Sequence, residues 1–209
     1  TFEEFSAFVD PNTLYLKTGC PLIFQYPLAR LFYLKNVENS LFSEAHYFLS
    51  SKDYIFYRLT NELFAEPSTA AASQLMDVHT LNWSEYALQK AGIRESQLPP
   101  ITDGTKLLCP VSSVIKSRLG LNSTVKVLLG VYDSAALAVA QSGLQPDVGV
   151  MNVGTSAMLR VASSSPAFDL TGAQRINPYS FNKGTYLNGG SLNNAALCLD
   201  WFNTNVSNI

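Results

Sequence analysis

The stretch Val125–Gly143, VKVLLGVYDSAALAVAQSG, decides the fold. Its first half is a β-rich apolar run and its second half a run of small residues suited to a close-packed helix of about 134–142. A single carboxylate, Asp133, stands at the handover. A buried strand that feeds a helix is the unit of α/β architecture, and ligands of open α/β sheets bind beyond the carboxyl ends of the strands. Asp133 has two compatible readings. It can cap the helix, or it can act as a general base within reach of a hydroxyl.

Downstream, VGVMNVGTSAMLRVA reads as strands over 149–153 and 157–162 around the turn Gly154-Thr155-Ser156. Any hairpin can carry such a turn. Its consecutive backbone amides and two hydroxyls can also cradle phosphate oxygens. A carboxylate at a strand end, followed about 20 residues later by a small hydroxyl-rich turn, is the pairing that phosphoryl transfer to a small molecule requires. Two more strands, about 174–179 and 184–188, flank SFNKG as a hairpin. A last helix of about 191–203 follows Gly189 and Gly190.

Upstream the pattern is helical. Pro27 opens a helix over Tyr26–Val37. SLFSEAHYFLSSKDYIFYRLTNE gives a short helix, an apolar link and a second helix in which residues 54–59 alternate between core and surface. Ser68 is read as an N-cap for the small-residue segment after it. Asn82 or Ser84 caps the helix that Gly92 ends, and Val111–Leu119 is helical up to Gly120. The shift from helix to strand near residue 124 predicts a domain boundary at about 142–148, dividing 1–144 from 145–209.

Bulk properties are those of a globular chain of 209 residues, 47% hydrophobic and 14% charged, with a net charge of −2. Nothing in that balance favours nucleic acid or an anionic membrane surface as partner. No apolar run approaches the roughly 20 residues of a membrane span. Cys20, Cys109 and Cys198 are odd in number and far apart, which predicts a reducing cytosol rather than a disulfide framework or a metal site. His46 and His79 stand alone and are read as surface or packing residues, as are Trp83 and Trp201. The lack of Met at position 1 and a last helix without a clear stop predict a piece of a longer chain.

Six blocks, in order, resemble the FGGY family of carbohydrate kinases: TGCPLIFQYPLARLFYLK, FLSSKDYIFYRLTNE, STAAASQLMDVHTLNWSEYALQKAGIRESQLPP, GVYDSAALAVAQSG, NVGTSAMLR and YLNGGSLNNAALCLDWF. The resemblance spans nearly the whole sequence. It implies an α/β, actin-like (ribonuclease-H-like) ATPase fold, here the later part of the first, sugar-binding domain and the beginning of the second, nucleotide-binding domain. It implies that Asp133 is the catalytic base and that Gly154, Thr155 and Ser156 form a phosphate loop. It sets Gln25 or Tyr26 beside the sugar, although Tyr26 also reads as an aromatic packed at a helix start. It sets the segment from Gly190 to Ala196 against the nucleotide. ATP and Mg²⁺ are the implied cofactors, and the resemblance is compatible with a homodimer without fixing the oligomeric state.

TGCP, YPLA, HTLNW, NGGSLNN and the Gly-Thr-Ser-x-x-x-Arg pattern ending at Arg160 look most like the family's gluconate kinases. The implied reaction is ATP-dependent conversion of gluconate to 6-phosphogluconate, with xylulose kinase as the alternative. Ile23-Phe24-Gln25 replaces the usual His-Pro-Met, and Ala195-Ala196 replaces the usual Gly-Gly. The family's first phosphate loop and its adenosine motif are absent from these residues. The 209 residues alone are therefore expected to be inactive, and a non-catalytic binding or regulatory relative is the reading from another class.

Overall fold

The computed structural model describes residues 2–142 and 144–206; Thr1, Gly143, at the end of the deciding stretch, and 207–209 lie outside the described residues. The first part is helical: α1 (Phe2–Phe8), α2 (Pro11–Thr18), α3 (Pro27–Val37), α4 (Asn39–Glu44), α5 (Ser51–Thr60), α6 (Pro67–Ala71) and α7 (Glu85–Ala91). Local chemistry sets their ends. Asp10 Oδ2 accepts the Thr13 amide at 2.6 Å to start α2, Ser50 accepts the Asp53 amide at the start of α5, and Ser84 caps α7 as expected. Gly92 ends α7 in the left-handed region, at φ 73°. Phe5, Leu14, Leu28, Leu31, Leu75, Leu88 and Leu98 form the core of this part.

A two-stranded antiparallel ribbon follows, β1 (Leu108–Pro110) with β2 (Lys126–Leu128), bridged by α8 (Ser113–Leu119). From β2 the chain passes through Leu129–Tyr132 into α9 (Asp133–Ser142). The rest is a four-stranded antiparallel sheet, ordered β3-β4-β6-β5, made of β3 (Gly149–Val153), β4 (Ala157–Ser163), β5 (Asn177–Asn182) and β6 (Thr185–Leu192), then α10 (Ala195–Asn205). The sheet shares a core with the helical part. Ala70, Ala71 and Met76 pack with Ala135 and Ala138 of α9 and with Ala162, Tyr179, Phe181 and Leu187 of the sheet.

Several expectations are corrected. Glu66, not Ser68, caps α6, since its carboxylate accepts the Ser68 and Thr69 amides. On α5 the inward face is Asp53, Phe56 and Thr60, while Tyr54, Ile55 and Tyr57 are exposed. The helix expected from Val111 begins at Ser113, because Pro110 is still paired to Lys126. The strands expected at 174–179 and 184–188 run over 177–182 and 185–192, and the last helix starts at 195 rather than 191. Gly189 and Gly190 therefore lie inside β6. A Cβ at Gly189 would sit 1.8 Å from Leu159 O, and one at Gly190 would sit 2.5 Å from Arg175 O. These glycines allow chains to approach closely and do not loosen a loop. Helices α1 and α2 were not anticipated from the sequence.

Candidate functional site

Asp133 is the first residue of α9. The Tyr132 carbonyl accepts the first helical hydrogen bond, from the Ala136 amide at 2.9 Å. The Asp133 side chain is exposed, and its Oδ1 accepts the Ser134 amide at 2.6 Å. No hydrogen bond occupies Oδ2 among the described residues. The carboxylate thus lies at the positive end of the helix with one oxygen anchored and one available.

The turn Gly154–Ser156 joins β3 to β4 and is exposed. The Gly154 amide donates to Ser156 O at 2.9 Å, and the Ala196 amide donates to Gly154 O at 2.9 Å. The turn is thereby tied to the first turn of α10. The Thr155 and Ser156 hydroxyls have no partner among the described residues. Ser134, Leu137 and Ala138 of α9, Val150 and Asn152 of β3, and Met158 and Arg160 of β4 line one small cavity of about 30 Å³. The residue after Asp133 and the strands on both sides of the Gly-Thr-Ser turn therefore meet. Gly190 lies in β6 opposite Leu159 of β4, against the Arg175 carbonyl, and is not among the residues lining this cavity.

Tyr26 precedes Pro27 at the start of α3 and is half-buried. Its Oη accepts from Asn177 Nδ2 at 3.1 Å. Burial pushes its hydroxyl well above the ordinary tyrosine range, and neighbouring Cys20 adds to the shift. Gln25 is exposed and joins none of these contacts. Arg160 is buried. Its Nη1 donates to Asn177 O at 2.8 Å, and its guanidinium lies 5.2 Å from the centre of the Tyr179 ring. Tyr179 in turn meets Tyr132, with ring centroids 5.7 Å apart. Tyr26, Asn177, Arg160, Tyr179 and Tyr132 thus form a connected group that ends one residue before Asp133. No carboxylate pairs with Arg160 among the described residues. Burial lowers its pKa, and the surrounding tyrosines oppose that shift.

Sequence reasoning did not single out Tyr132, Asn177 or Tyr179. Each reads as an ordinary strand or strand-end residue, and only the sheet pairing brings them together. His79 is a packing residue, with its ring stacked on Phe168 at 5.7 Å and Nε2 2.9 Å from Leu16 O. Among the described residues, no group of three or more His, Cys, Asp or Glu side chains is placed to hold a metal ion. Nor is any helix among them long and apolar enough to cross a membrane.

Residues 1–140 match the FGGY family of carbohydrate kinases, N-terminal domain, and the chain belongs to that family. It is 27% identical over 193 residues to the gluconokinase of Bacillus subtilis (strain 168), covering 92% of this chain and 37% of that protein. Gluconate kinase from Lactobacillus acidophilus superposes with a TM-score of 0.88 at 29% identity, covering 96% of this chain and 40% of that one. Xylulose kinase from the same organism superposes with a TM-score of 0.89 at 29% identity, covering 98% and 41%. The α/β fold is that of these sugar kinases, the actin-like ATPase fold, and the chain spans about two fifths of their length.

Proposed function

We propose that this chain carries the acceptor side and one phosphate loop of a kinase that transfers the γ-phosphoryl group of ATP to a hydroxyl of gluconate. The observation that carries this reading is that the first turn of α9, which begins with Asp133, meets the strands that flank the Gly-Thr-Ser turn. The start of α9 and the strands flanking the turn line one cavity, and the turn is tied to the start of α10. The open turn and its unpaired hydroxyls fit the phosphate end of a nucleotide. ATP supplies the phosphoryl group, and Mg²⁺ neutralises its charge, held mainly by phosphate oxygens and water.

Oδ2 of Asp133 accepts the acceptor's hydroxyl proton as that oxygen bonds to the γ-phosphorus and ADP departs. The Ser134 amide keeps Oδ1 fixed meanwhile. Gly154, Thr155 and Ser156 hold phosphoryl oxygens, and the first turn of α10 at Ala196 backs them. Gly190 serves by letting β6 pass close to Arg175 on the way to α10. Gln25 and Tyr26 belong to the acceptor side. Arg160 favours a sugar acid over a neutral ketose, because a buried guanidinium without a carboxylate partner attracts an anionic group. In this reading residues 1–144 are the later part of a sugar-binding domain, 145–209 open a nucleotide-binding domain, and the protein works in the cytosol.

The test is ADP release by the complete gene product with ATP, Mg²⁺ and gluconate, beside an Asp133→Asn variant. Turnover that falls by about 10²–10⁴ in the variant supports the assignment. Turnover with xylulose but not gluconate keeps the base and moves the substrate. No turnover with any sugar refutes the reading in favour of a non-catalytic relative.

A further inference from the structure

Glu66 is a fully buried carboxylate, 0% exposed, which is costly unless every lone pair is used. Its Oε2 accepts the Ser68 amide at 2.8 Å and the Ser68 hydroxyl at 2.6 Å. Its Oε1 accepts the Thr69 amide at 2.8 Å and the Thr69 hydroxyl, and Lys52 Nζ lies 3.4 Å away. Capping the five-residue helix α6 would need only one or two of these bonds.

The remainder reaches the segment in front of Asp133. A serine hydroxyl has one proton, and Ser68 gives it to Glu66, so its lone pairs face outward. One of them accepts the Tyr132 amide at 2.9 Å. Lys52, which pairs with Oε1 of Glu66, donates to Leu129 O at 3.3 Å. Between these two points the Gly130 amide donates to Gly104 O at 2.9 Å. The four-residue link Leu129–Tyr132 is therefore held at both ends by side chains that converge on Glu66, and at its middle by Gly104.

We infer that Glu66, acting through Ser68 and Lys52, is a positioning group that sets where the Asp133 carboxylate stands. This inference rests on the proposed role of Asp133 as base. Misplacing a reacting group by about 1 Å can cost about 10² in rate. Ser68→Ala in the complete gene product is expected to lower kcat about 10- to 100-fold, with the KM values for gluconate and ATP within about twofold of wild type. In an Asp133→Asn background the same substitution is expected to cost less than about twofold, because a group that acts through Asp133 has nothing left to position. Hydrogen exchange of the peptide covering 129–136 is expected to speed up in Ser68→Ala. Lys52→Met, at a partly exposed position, should reproduce both effects more weakly if Ser68→Ala folds poorly.

Equal losses from Ser68→Ala with and without Asp133 would overturn the inference, as would unchanged exchange at 129–136. If the wild-type protein turns over no sugar, the proposed function fails and the catalytic purpose of the clamp falls with it. The exchange measurement would still decide whether the clamp holds the link.

Discussion

Gly104→Ala is the sharpest test of how tightly the link before Asp133 is held. Gly104 is buried, and its backbone angle is open to any residue; what it lacks is space. A Cβ there would lie 2.0 Å from the Gly130 carbonyl oxygen and 2.9 Å from Cβ and Cγ of Glu66. Neither neighbour is the free end of a flexible side chain. Ordinary contact would need the Gly130 carbonyl to move by more than about 1 Å, against the bond its own amide makes to Gly104 O. Overpacking costs about 1–3 kcal/mol and the strained hydrogen bond about 1 kcal/mol more, so a loss of about 2–4 kcal/mol is expected. Gly120→Ala is the control. Its φ of +63° strains an alanine by about 1–2 kcal/mol, but open space surrounds its Cβ. Urea unfolding of the complete gene product, followed by the signal of this region, compares the two. Steady-state kinetics should show kcat reduced in Gly104→Ala and not in Gly120→Ala. A Gly104→Ala protein as stable and as active as Gly120→Ala would refute the argument that the link is clamped.

Further expectations concern buried charge and thiols. Arg160→Met should raise the KM for gluconate at least about tenfold while leaving any turnover of xylulose within about threefold, measured by coupled ADP release. Burial raises the Asp53 pKa, and its Oδ1 has no hydrogen-bond partner. The charged form is thus disfavoured relative to the unfolded chain, and the contribution of Asp53 to stability is largest below the unfolded value of about 3.9 and declines as pH rises through the raised folded value. Asp53→Asn should therefore gain stability relative to wild type as pH rises above about 4, read as a growing difference in melting temperature that levels off once Asp53 is ionised in the fold. Cys20 is buried with its thiol pushed up to about 12, whereas Cys198 is exposed. Brief iodoacetamide treatment of the native protein at pH 8 should label Cys198 and spare Cys20, as resolved by mass spectrometry.

The helix start at Asp133 and the Gly-Thr-Ser turn were legible because each is a local event, whereas the buried strand expected to feed that helix is only Lys126–Leu128, a partly exposed strand of an antiparallel ribbon that ends four residues before α9. An apolar β-branched run, a carboxylate and small helical residues announce the first, and two strands around three small residues announce the second. Helix stops at Gly92 and Gly120 were legible for the same reason. The start of α10 was not, because Gly189 and Gly190 carry the signal of a loop while serving a close approach of chains in β6. The cap of α6 was misread because serine is the commoner cap, and nothing local marks Glu66 as buried. Its partner Lys52 lies 14 residues before it, and Tyr132, whose amide donates to Ser68, lies 66 residues after it in the chain. The group around Arg160 was illegible beyond its motif, since its members come from 26, 132, 177 and 179 and meet only when the sheet docks.

Helix α9 gives the small residues after Asp133 their meaning. Its first turn carries the carboxylate, and Ala135 and Ala138, which are 0% and 1% exposed, face a core shared with Ala70 and Ala71 of α6 and with Ala162 and Leu187 of the sheet. The small side chains of α6 and α9 let these elements approach closely around the larger Met76, Tyr179 and Phe181, and in a close-packed interior an added side chain has nowhere to go. The Gly-Thr-Ser turn sits on β3 and β4, whose residues line the cavity at Ser134. The buried face of α9 therefore seats the helix that begins at Asp133 against the sheet that carries the turn. The clamp at Leu129–Tyr132 fixes the start of the same helix from its other side. The start of α9 is thus anchored from both the helical part and the sheet, which would give Asp133, in the role proposed for it, the rigidity that a general base needs.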